Sequence, residues 1–576
     1  MSINFIFSNN IEPGFRGNFI NYDKNLISNP FANQIDLNNF LTEYQDEWLT
    51  EYDHWFSEYA RVSTKIIPFW DFSISSRTTI WYPYELESLI FSMGVIKVVK
   101  ERNLNEILIL NAPQRATEYL RNYETHTRLS FLDFKRVFSS FKININSILN
   151  SFKIFLKTDK VNINTKEPTD LIVFSFFLGI NNRTPADHFF GSYFDNKDIK
   201  SKYLYYYLNS NLKNETRFLN ENNRDAIFVY QLINFSDFII SVFKLIRFWL
   251  SSIYVYFSIK DELVCSGIIF PNYFKTFFFE TVLNNSPINE FITFQATNKA
   301  IRKFNPKAIL LPFEEKGTEH AVIKAANNAS KEVVTIGFAH ANYNNGHRYI
   351  YYNKSFLPRY PKFIATTGDI QKKWLIDFCN WPAEKLIFMG SPRSTINLEM
   401  NIQKHSENII FLVGYLHELI QFVNIIISEP TIFEGFNLII RPYPHDKIVE
   451  QMQQIELIRS FGIIVDVDLN AELSTQLQNS SIAIFSSSSA GFEAVANNCL
   501  LINMNLNNII NTNPLIGKTY NDEIKICNSN AELLKTLNYF RNLDLNSKIE
   551  IIEKQKNFII NIYSKMDLSE LKFILN

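Results

Sequence analysis

From Lys307 onward, short apolar runs alternate with helical stretches at a spacing that suits a parallel sheet with crossover helices. "KAILLPF", "EVVTIGF" and "KFIATTG" are separated by stretches such as "EHAVIKAANNASK". Strands that read as continuous apolar runs are those covered on both faces. The pattern pauses at "MGSPRSTINLEMNIQKHSEN", a polar stretch with a proline, and then restarts. "NIIFLVG", "NLIIRPYP", "GIIVDVD", "SIAIFSSSS", "CLLINM" and "EIKIC" follow at βαβ spacing. Two such runs predict an α/β protein with two facing, doubly wound, Rossmann-like domains. The first is expected over residues 1–395 and the second over 396–576. A chain of 576 residues is too long for a single core in any case.

Ahead of Lys307 the pattern is less regular. "NEILILNAP" and "DLIVFSFFLG" read as buried strands, and "LTEYQDEWLTEYDHWFSEYARV" has an aromatic, acidic helical pattern. Residues of about 200–300 read as an aromatic-rich helical insertion in the first domain.

Charge and cysteine content narrow the function classes. With 57 basic against 58 acidic residues, no basic excess exists to neutralise nucleic-acid phosphates. Cys265, Cys379, Cys499 and Cys527 are far apart and form no metal or redox pair, which fits a reduced, cytoplasmic setting. The opening "MSINFIFSNNIEPGFRGNF" lacks a basic stretch followed by an apolar core, so no signal peptide is expected. Asp237, Lys244 and Arg247 interrupt the apolar stretch from Leu232 to Glu262. Its longest uncharged run after Arg247 is about 12 residues, and a spanning helix needs roughly 20. Two readings stay open there: a buried helix, or one lying at the inner face of a membrane.

In doubly wound sheets ligands bind beyond the carboxyl ends of the strands, so the residues at those ends are the candidates. "KAILLPF" is followed by Glu314, Glu315, Lys316, Glu319 and His320, and "EVVTIGF" by His340 and His347. "NLII" is followed by Arg441, His445 and Asp446, and "SIAIF" by Ser486 to Ser489 and then Glu493. Hydroxyls, free backbone amides, arginine and histidine in one cleft are what an anionic ligand needs. "DVD" at Asp466–Asp468 follows "GIIV" and reads as a loop, so no metal site is expected.

The order of "LLPFEEKGTEHAVIKAA", "TIGFAHANYNNGHRYIYY", "YPKFIATTGDIQKKWLI", "GSPR", "IIRPYPHD" and "SSSSAGFEAVANNC" resembles the bacterial surface-carbohydrate and capsular-polysaccharide glycosyltransferases of the GT-B type. The resemblance covers about Lys307 to Asn505. It implies that the second domain holds a nucleotide-sugar donor and the first offers a glycan or lipid-linked glycan acceptor, with no cofactor and no metal. On this chain it assigns donor phosphate to Ser488 and Ser489, with Ser487 beside them, and ribose to Glu493. Gly414, at the end of "NIIFLVG", and Arg393, in "GSPR", join the donor side. "RPYPHD" departs from the family's Arg–Pro–His–Pro element: Tyr443 stands between the prolines and His445 follows the second. Arg441 is the alternative for that contact. His340 resembles the family's loop histidine, although Ala339 and Ala341 flank it. One of Glu314, Glu315 and Glu319 is the expected base that takes the acceptor proton, while His347 and His320 fall on the acceptor side. The serine pair and the Arg–Pro–x–Pro element lean toward a CMP-activated acidic sugar, such as Kdo or a sialic-acid-like sugar. A nucleotide-sugar epimerase, a polyol-phosphate transferase and a non-catalytic nucleotide-binding scaffold are the competing readings.

Overall fold

Three sheets of mainly parallel strands form the frame of the computed structural model of the chain. It describes residues 83–576 apart from 111, 126–131, 162–165, 182–183, 188, 191–192, 196–197, 208–224, 259–261, 266–267, 272–276, 330–331, 342, 345–346, 355–358, 393–406, 444–447, 468, 470, 507–512, 516 and 519–523. Before residue 83 it describes 4–8, 17–21, 32–35, 37, 41, 44, 47–53, 63, 65–67 and 69–70.

The first sheet contains β1 (Asn4–Ser8), β2 (Gly17–Asn21), β3 (Ala32–Gln34) and β4 (Glu106–Leu110), in the order β1-β4-β2-β3. All its pairings are parallel. Only β4 is an uninterrupted apolar run; "GNFIN" and "ANQ" are too short and polar to stand out in the sequence. Helix α1 (Pro83–Glu101) leads into β4 and buries Leu89, Ile90, Ile96 and Val99.

The second sheet is built from β5 (Leu171–Asn181), β7 (Ser201–Tyr206) and β8 (Ala226–Phe228), with β6 (Thr184–Asp187) folded antiparallel onto β5. Beyond helix α2 (Leu132–Lys157), helix α3 (Phe235–Ser258), the hairpin β9 (Glu262–Cys265)/β10 (Ile268–Pro271) and helix α4 (Ile288–Phe304), the sheet continues. Its remaining strands are β11 (Ala308–Pro312), β12 (Val334–Ala339), β13 (Phe363–Thr366) and β14 (Leu386–Phe388), with helix α6 (Asp369–Asp377) between the last two. The order is β14-β13-β12-β11-β5-β7-β8. Residues 201–206 and 226–228 are therefore sheet strands, where the sequence pattern predicts a helical stretch. The tyrosines of "SKYLYY" give the sequence no apolar run to read, yet Tyr203 and Tyr205 are fully buried.

The third sheet has β15 (Asn408–Leu412), β16 (Asn437–Arg441), β17 (Val465–Asp466), β18 (Ile482–Phe485), β19 (Leu500–Met504) and β20 (Lys525–Cys527), all parallel, in the order β17-β16-β15-β18-β19-β20. Ile409 and Phe411 of β15 belong to one hydrophobic cluster, and Ile410 and Leu412 to another. Successive side chains point to opposite faces, so this sheet is buried on both sides. Counted in chain order, both large sheets contain the succession 3-2-1-4-5-6, with β14 as a seventh strand on the second. That order defines the doubly wound, Rossmann-like arrangement, and the expected α/β architecture holds for both.

The C-terminal segment ties the two domains together. After helix α9 (Leu545–Ile562) the chain crosses back, and helix α10 (Ser569–Leu575) buries Leu571 and Leu575 in the first domain's core. At the crossing the Ser564 amide donates to the Thr367 carbonyl (2.8 Å) and the Ser391 amide to the Ser564 carbonyl (2.9 Å). Gly390, at φ +76°, passes so close to the Lys565 backbone that a side chain would collide with it. The carboxyl edges of the two large sheets face each other: Lys518, in the loop after β19, donates to the carbonyl of Tyr343, in the loop after β12 (2.9 Å).

Candidate functional site

In a 3-2-1-4-5-6 sheet the chain turns opposite ways from strands 1 and 4, leaving a crevice between their carboxyl ends. In the second domain those strands are β15 and β18, which end at Gly414 and at the serine run. A Cβ on Gly414 would run into Ser487 Oγ and Glu418 Oε2 and would come within 3.1 Å of the Ser488 nitrogen. Glycine is thus required for the two strand ends to close on each other. Gly414, Ser487 and Ser488, three of the residues that the resemblance assigns to the donor side, come together here.

Glu418, which that pattern does not single out, lies at the bottom of the crevice. It is the third residue of helix α7 (Leu416–Ser428) and turns back to accept from the amides of Gly414 (3.1 Å) and Tyr415 (3.3 Å). Burial pushes its carboxyl up to about 7, while Ser487 and the amides of Gly414, Tyr415 and Ser487 pull it back down. The only sequence sign of this role is an acid three positions after the residue preceding the helix.

Around this crevice the other donor-side residues divide. Ser486 is buried, and its carbonyl accepts from Asn503 Nδ2 (3.0 Å). Ser489 directly precedes helix α8 (Ala490–Ala496) without capping it by its side chain. Ser489 and Glu493, one turn apart, are both exposed to solvent. Arg441, at the end of β16, spends Nη1 on the Ala471 carbonyl (2.8 Å) and Gln476 Oε1 (3.1 Å), anchoring the neighbouring loop. Gln451 holds the Tyr443 backbone from both sides, at 2.9 and 3.0 Å. His445 and Arg393 lie outside the described residues, as does Asp468; Asp466 closes β17 on the surface.

In the first domain strands 1 and 4 are β5 and β11, and the acidic cluster follows β11. The structure separates its three carboxylates. Glu319, 1% exposed in the first turn of helix α5 (Gly317–Asn327), folds back onto the amides of Glu314 (2.9 Å) and Lys316 (3.2 Å). Burial and the nearby Glu314 charge push its carboxyl up to about 8, against the opposing pull of Lys316 and the two amides. Glu315 is buried too, with its backbone at φ +53°, a left-handed conformation that a non-glycine residue rarely adopts. Glu314 is ion-paired with Lys316, and its Oε1 lies 3.6 Å from His340 Nε2. His340 stands edge-on to Phe189 (4.5 Å between centroids), and Lys316 Nζ lies over the Phe176 ring of β5 (4.6 Å). Of the three acids left open by the sequence, Glu314 stands beside His340 and Glu319 caps the start of helix α5.

His320 and His347 do not join this pair. His320 is buried on helix α5. His347 is held by Asn344, whose amide lies 3.1 Å and Oδ1 2.9 Å from Nδ1, and its ring stands edge-on to Tyr343 and Tyr349. Burial, with Lys518 and His340 nearby, lowers it to about 3, so it is neutral throughout the physiological range. Lys518 itself is buried and lowered to about 7, and it donates also to the Pro514 carbonyl (2.6 Å). No local sequence pattern marks Lys518, because its surroundings come from the other domain. Among the described residues, no group of three or more His, Cys, Asp or Glu side chains is arranged to hold a metal ion.

No protein-family model matches the chain, and no curated protein matches it in sequence. Solved structures of similar fold include a glycosyltransferase from Rickettsia africae, at 11% identity and TM-score 0.42, covering 71% of this chain and 96% of that one. A mutant of S. aureus TarM in complex with UDP is 10% identical at TM-score 0.44, over 71% of this chain and 100% of that one. A UDP-GlcNAc 2-epimerase from Neisseria meningitidis is 13% identical at TM-score 0.38, over 70% and 99%.

Proposed function

We propose that the protein is a glycosyltransferase that moves a sugar from a nucleotide-sugar donor onto a glycan acceptor. One observation carries this reading: two sheets of the same doubly wound order turn their carboxyl edges toward each other. One edge brings Gly414 against the Ser487 hydroxyl and the Ser488 amide, and the other sets the Glu314 carboxylate beside the His340 imidazole. The donor's phosphates would lie against Ser487, Ser488 and the Gly414 turn, with Ser489 and Glu493 at the open end for the nucleoside. Preorganised donors placed where the leaving phosphate gains charge are the main lever for such a transfer. Glu314, with His340 beside it, would take the proton from the acceptor hydroxyl. The acceptor oxygen bonds to the anomeric carbon, and the electron pair of the broken C–O bond leaves with the nucleotide. No metal is assigned a part.

For the donor we propose a CMP-activated acidic sugar, on the strength of the serine pair and the Arg–Pro–x–Pro element. UDP is the alternative to be measured beside it.

Thermal shift against CMP, CDP, UDP, GDP and ADP tests the donor site, because a ligand of the native state stabilises by about 2.7 kcal/mol at a hundredfold excess over Kd. One nucleotide should raise the melting temperature of the wild type. The shift should vanish in Ser489→Ala and Glu493→Ala, whose exposed side chains leave the fold untouched. If no nucleotide shifts the wild type, the donor reading fails. Glu314→Gln should keep the nucleotide shift and lose about 10²–10⁴ in transfer rate. Conversion of the donor sugar with no acceptor present would point to an epimerase. Binding without turnover on any acceptor would point to a scaffold.

A further inference from the structure

Helix α2 buries three polar residues beside Ile154 and Phe155 and exposes much of its apolar surface. Its inward face holds Ser140, Asn144 and Ser151, all buried, with Ser140 accepting from Trp249 Nε1 (3.2 Å) and Ser151 donating to Asn289 Oδ1 (3.1 Å). Its outward face holds Phe138 (75% exposed), Phe141, Ile145, Leu149 and Leu156 (65%), spaced three, four, four and seven residues apart. A helix made for water places these two sets the other way round.

Helix α3 runs antiparallel beside it: Phe141 lies against Trp249 (5.5 Å between centroids) and Phe155 against Phe238 (5.4 Å). One stripe of α3, Phe238, Leu245, Phe248 and Val255, is in the first domain's core. The opposite stripe, Ile239, Phe243 (67%), Ile246, Leu250 and Tyr254 (65%), is open. By length and composition α3 could cross a membrane. Its packed inner stripe, and Asp237 ion-paired with Lys299 at its start, instead fix it flat against the domain. The two outward stripes form one apolar strip about 27 Å long, the span from Phe138 to Leu156 at 1.5 Å per helical residue.

Among the described side chains of the two helices, the exposed charges beside this strip are of one sign. Lys142, Lys153 and Lys157 are exposed along the outer border of α2, and Arg247 along that of α3. Among the described side chains of both helices the one carboxylate is Asp237, which is buried and paired. An apolar strip edged by cations complements a bilayer surface, with acyl chains for the strip and anionic headgroups for its borders.

We propose that the α2–α3 face docks the protein, without spanning, onto a membrane whose headgroups are anionic. The surface stands apart from both switch-point crevices, so this inference does not depend on the proposed transfer.

Flotation of the full-length protein with phosphatidylcholine vesicles, with and without a third of phosphatidylglycerol, tests it. The wild type should float with the anionic vesicles. The Phe243→Ser/Leu250→Ser variant should lose at least tenfold in partitioning with an unchanged melting temperature, whereas Ile464→Ser, on the other domain and 92% exposed, should bind like the wild type. Removing Lys142, Lys153, Lys157 and Arg247 as Gln should weaken anionic binding by roughly fivefold per cation and abolish the preference for phosphatidylglycerol. Absence of flotation with either vesicle overturns the proposal. So does a wild type that sediments as a dimer and becomes a monomer in the Phe243→Ser/Leu250→Ser variant, because a second copy would then cover the face.

Discussion

The two switch-point crevices use the same cap and set it in different company. In each, a glutamate in the first turn of a helix folds back onto the amides at the end of the preceding strand: Glu319 at 2.9 and 3.2 Å, Glu418 at 3.1 and 3.3 Å. Each gives orphan amides an acceptor without a solvent-facing group. Beside Glu418 stands the Ser487 hydroxyl, and its carboxyl rises to about 7. Burial raises both carboxyls, and beside Glu319 another carboxylate, Glu314, adds to the rise, to about 8. The neighbour thus suits each crevice to a different task. A second acid next to Glu319 concentrates proton-exchanging groups where the acceptor is proposed to bind. A hydroxyl next to Glu418 adds no charge where the donor phosphate is proposed to bind, and a carboxyl held near neutrality repels an anion less.

The sharpest break of this comparison is to remove each cap. Glu319→Ala leaves two partly buried amides without an acceptor and should destabilise the first domain by about 3 kcal/mol. Glu418→Ala should cost the second domain less, about 2 kcal/mol, because the Ser487 hydroxyl is at hand to accept one of them. Urea denaturation followed by probes in each domain separates the two transitions. Equal losses, or a loss in the wrong domain, would end the argument that the neighbour distinguishes the caps.

Gly414→Ala comes next. Its Cβ would press on Ser487 Oγ and Glu418 Oε2, and overpacking of this kind costs about 1–3 kcal/mol. Adding Ser487→Ala removes the nearest obstacle and should recover part of that stability. Gly414→Ala with wild-type stability would mean that the strand ends are looser than they stand here.

What the sequence shows and what it hides follow from the range of the interactions. Apart from β14, the strands of both large sheets from β11 on lie within apolar runs, because parallel strands are covered on both faces, and each is recognisable from its own residues. β2, β3 and β7 are not, since "GNFIN" and "ANQ" are short and polar, and the buried side chains of "SKYLYY" include two tyrosines. Ser487, Ser488, Gly414, Glu314 and His340 are legible as strand-end residues. The choice among Glu314, Glu315 and Glu319 is not, because it depends on which carboxylate the helix start consumes. Lys518 is invisible for the same reason: 175 positions separate it from the Tyr343 carbonyl it bonds.

The smallest effect is the pH at which each cap begins to weigh on the fold. Glu319 and Glu418 both have folded values raised above the ordinary 4.5, to about 8 and about 7. Each contribution to stability is therefore fully present below 4.5 and is lost as pH rises through the folded value. Glu418 has finished by about pH 7, whereas Glu319 continues to weaken its domain up to about pH 8. Lys518 runs the other way: lowered from 10.5 to about 7, its contribution is present at high pH and lost as pH falls through 7. Comparing each glutamine variant with the wild type at the same pH cancels Lys518, and a glutamine oxygen still accepts from the two amides. The melting-temperature gain of Glu319→Gln over wild type should keep growing between pH 7 and 9, to about 2 °C or more. That of Glu418→Gln should grow between pH 5 and 7 and then level off. If both gains level off at the same pH, the Glu314 charge does not set the first crevice apart, and the difference between the two caps is one of burial alone.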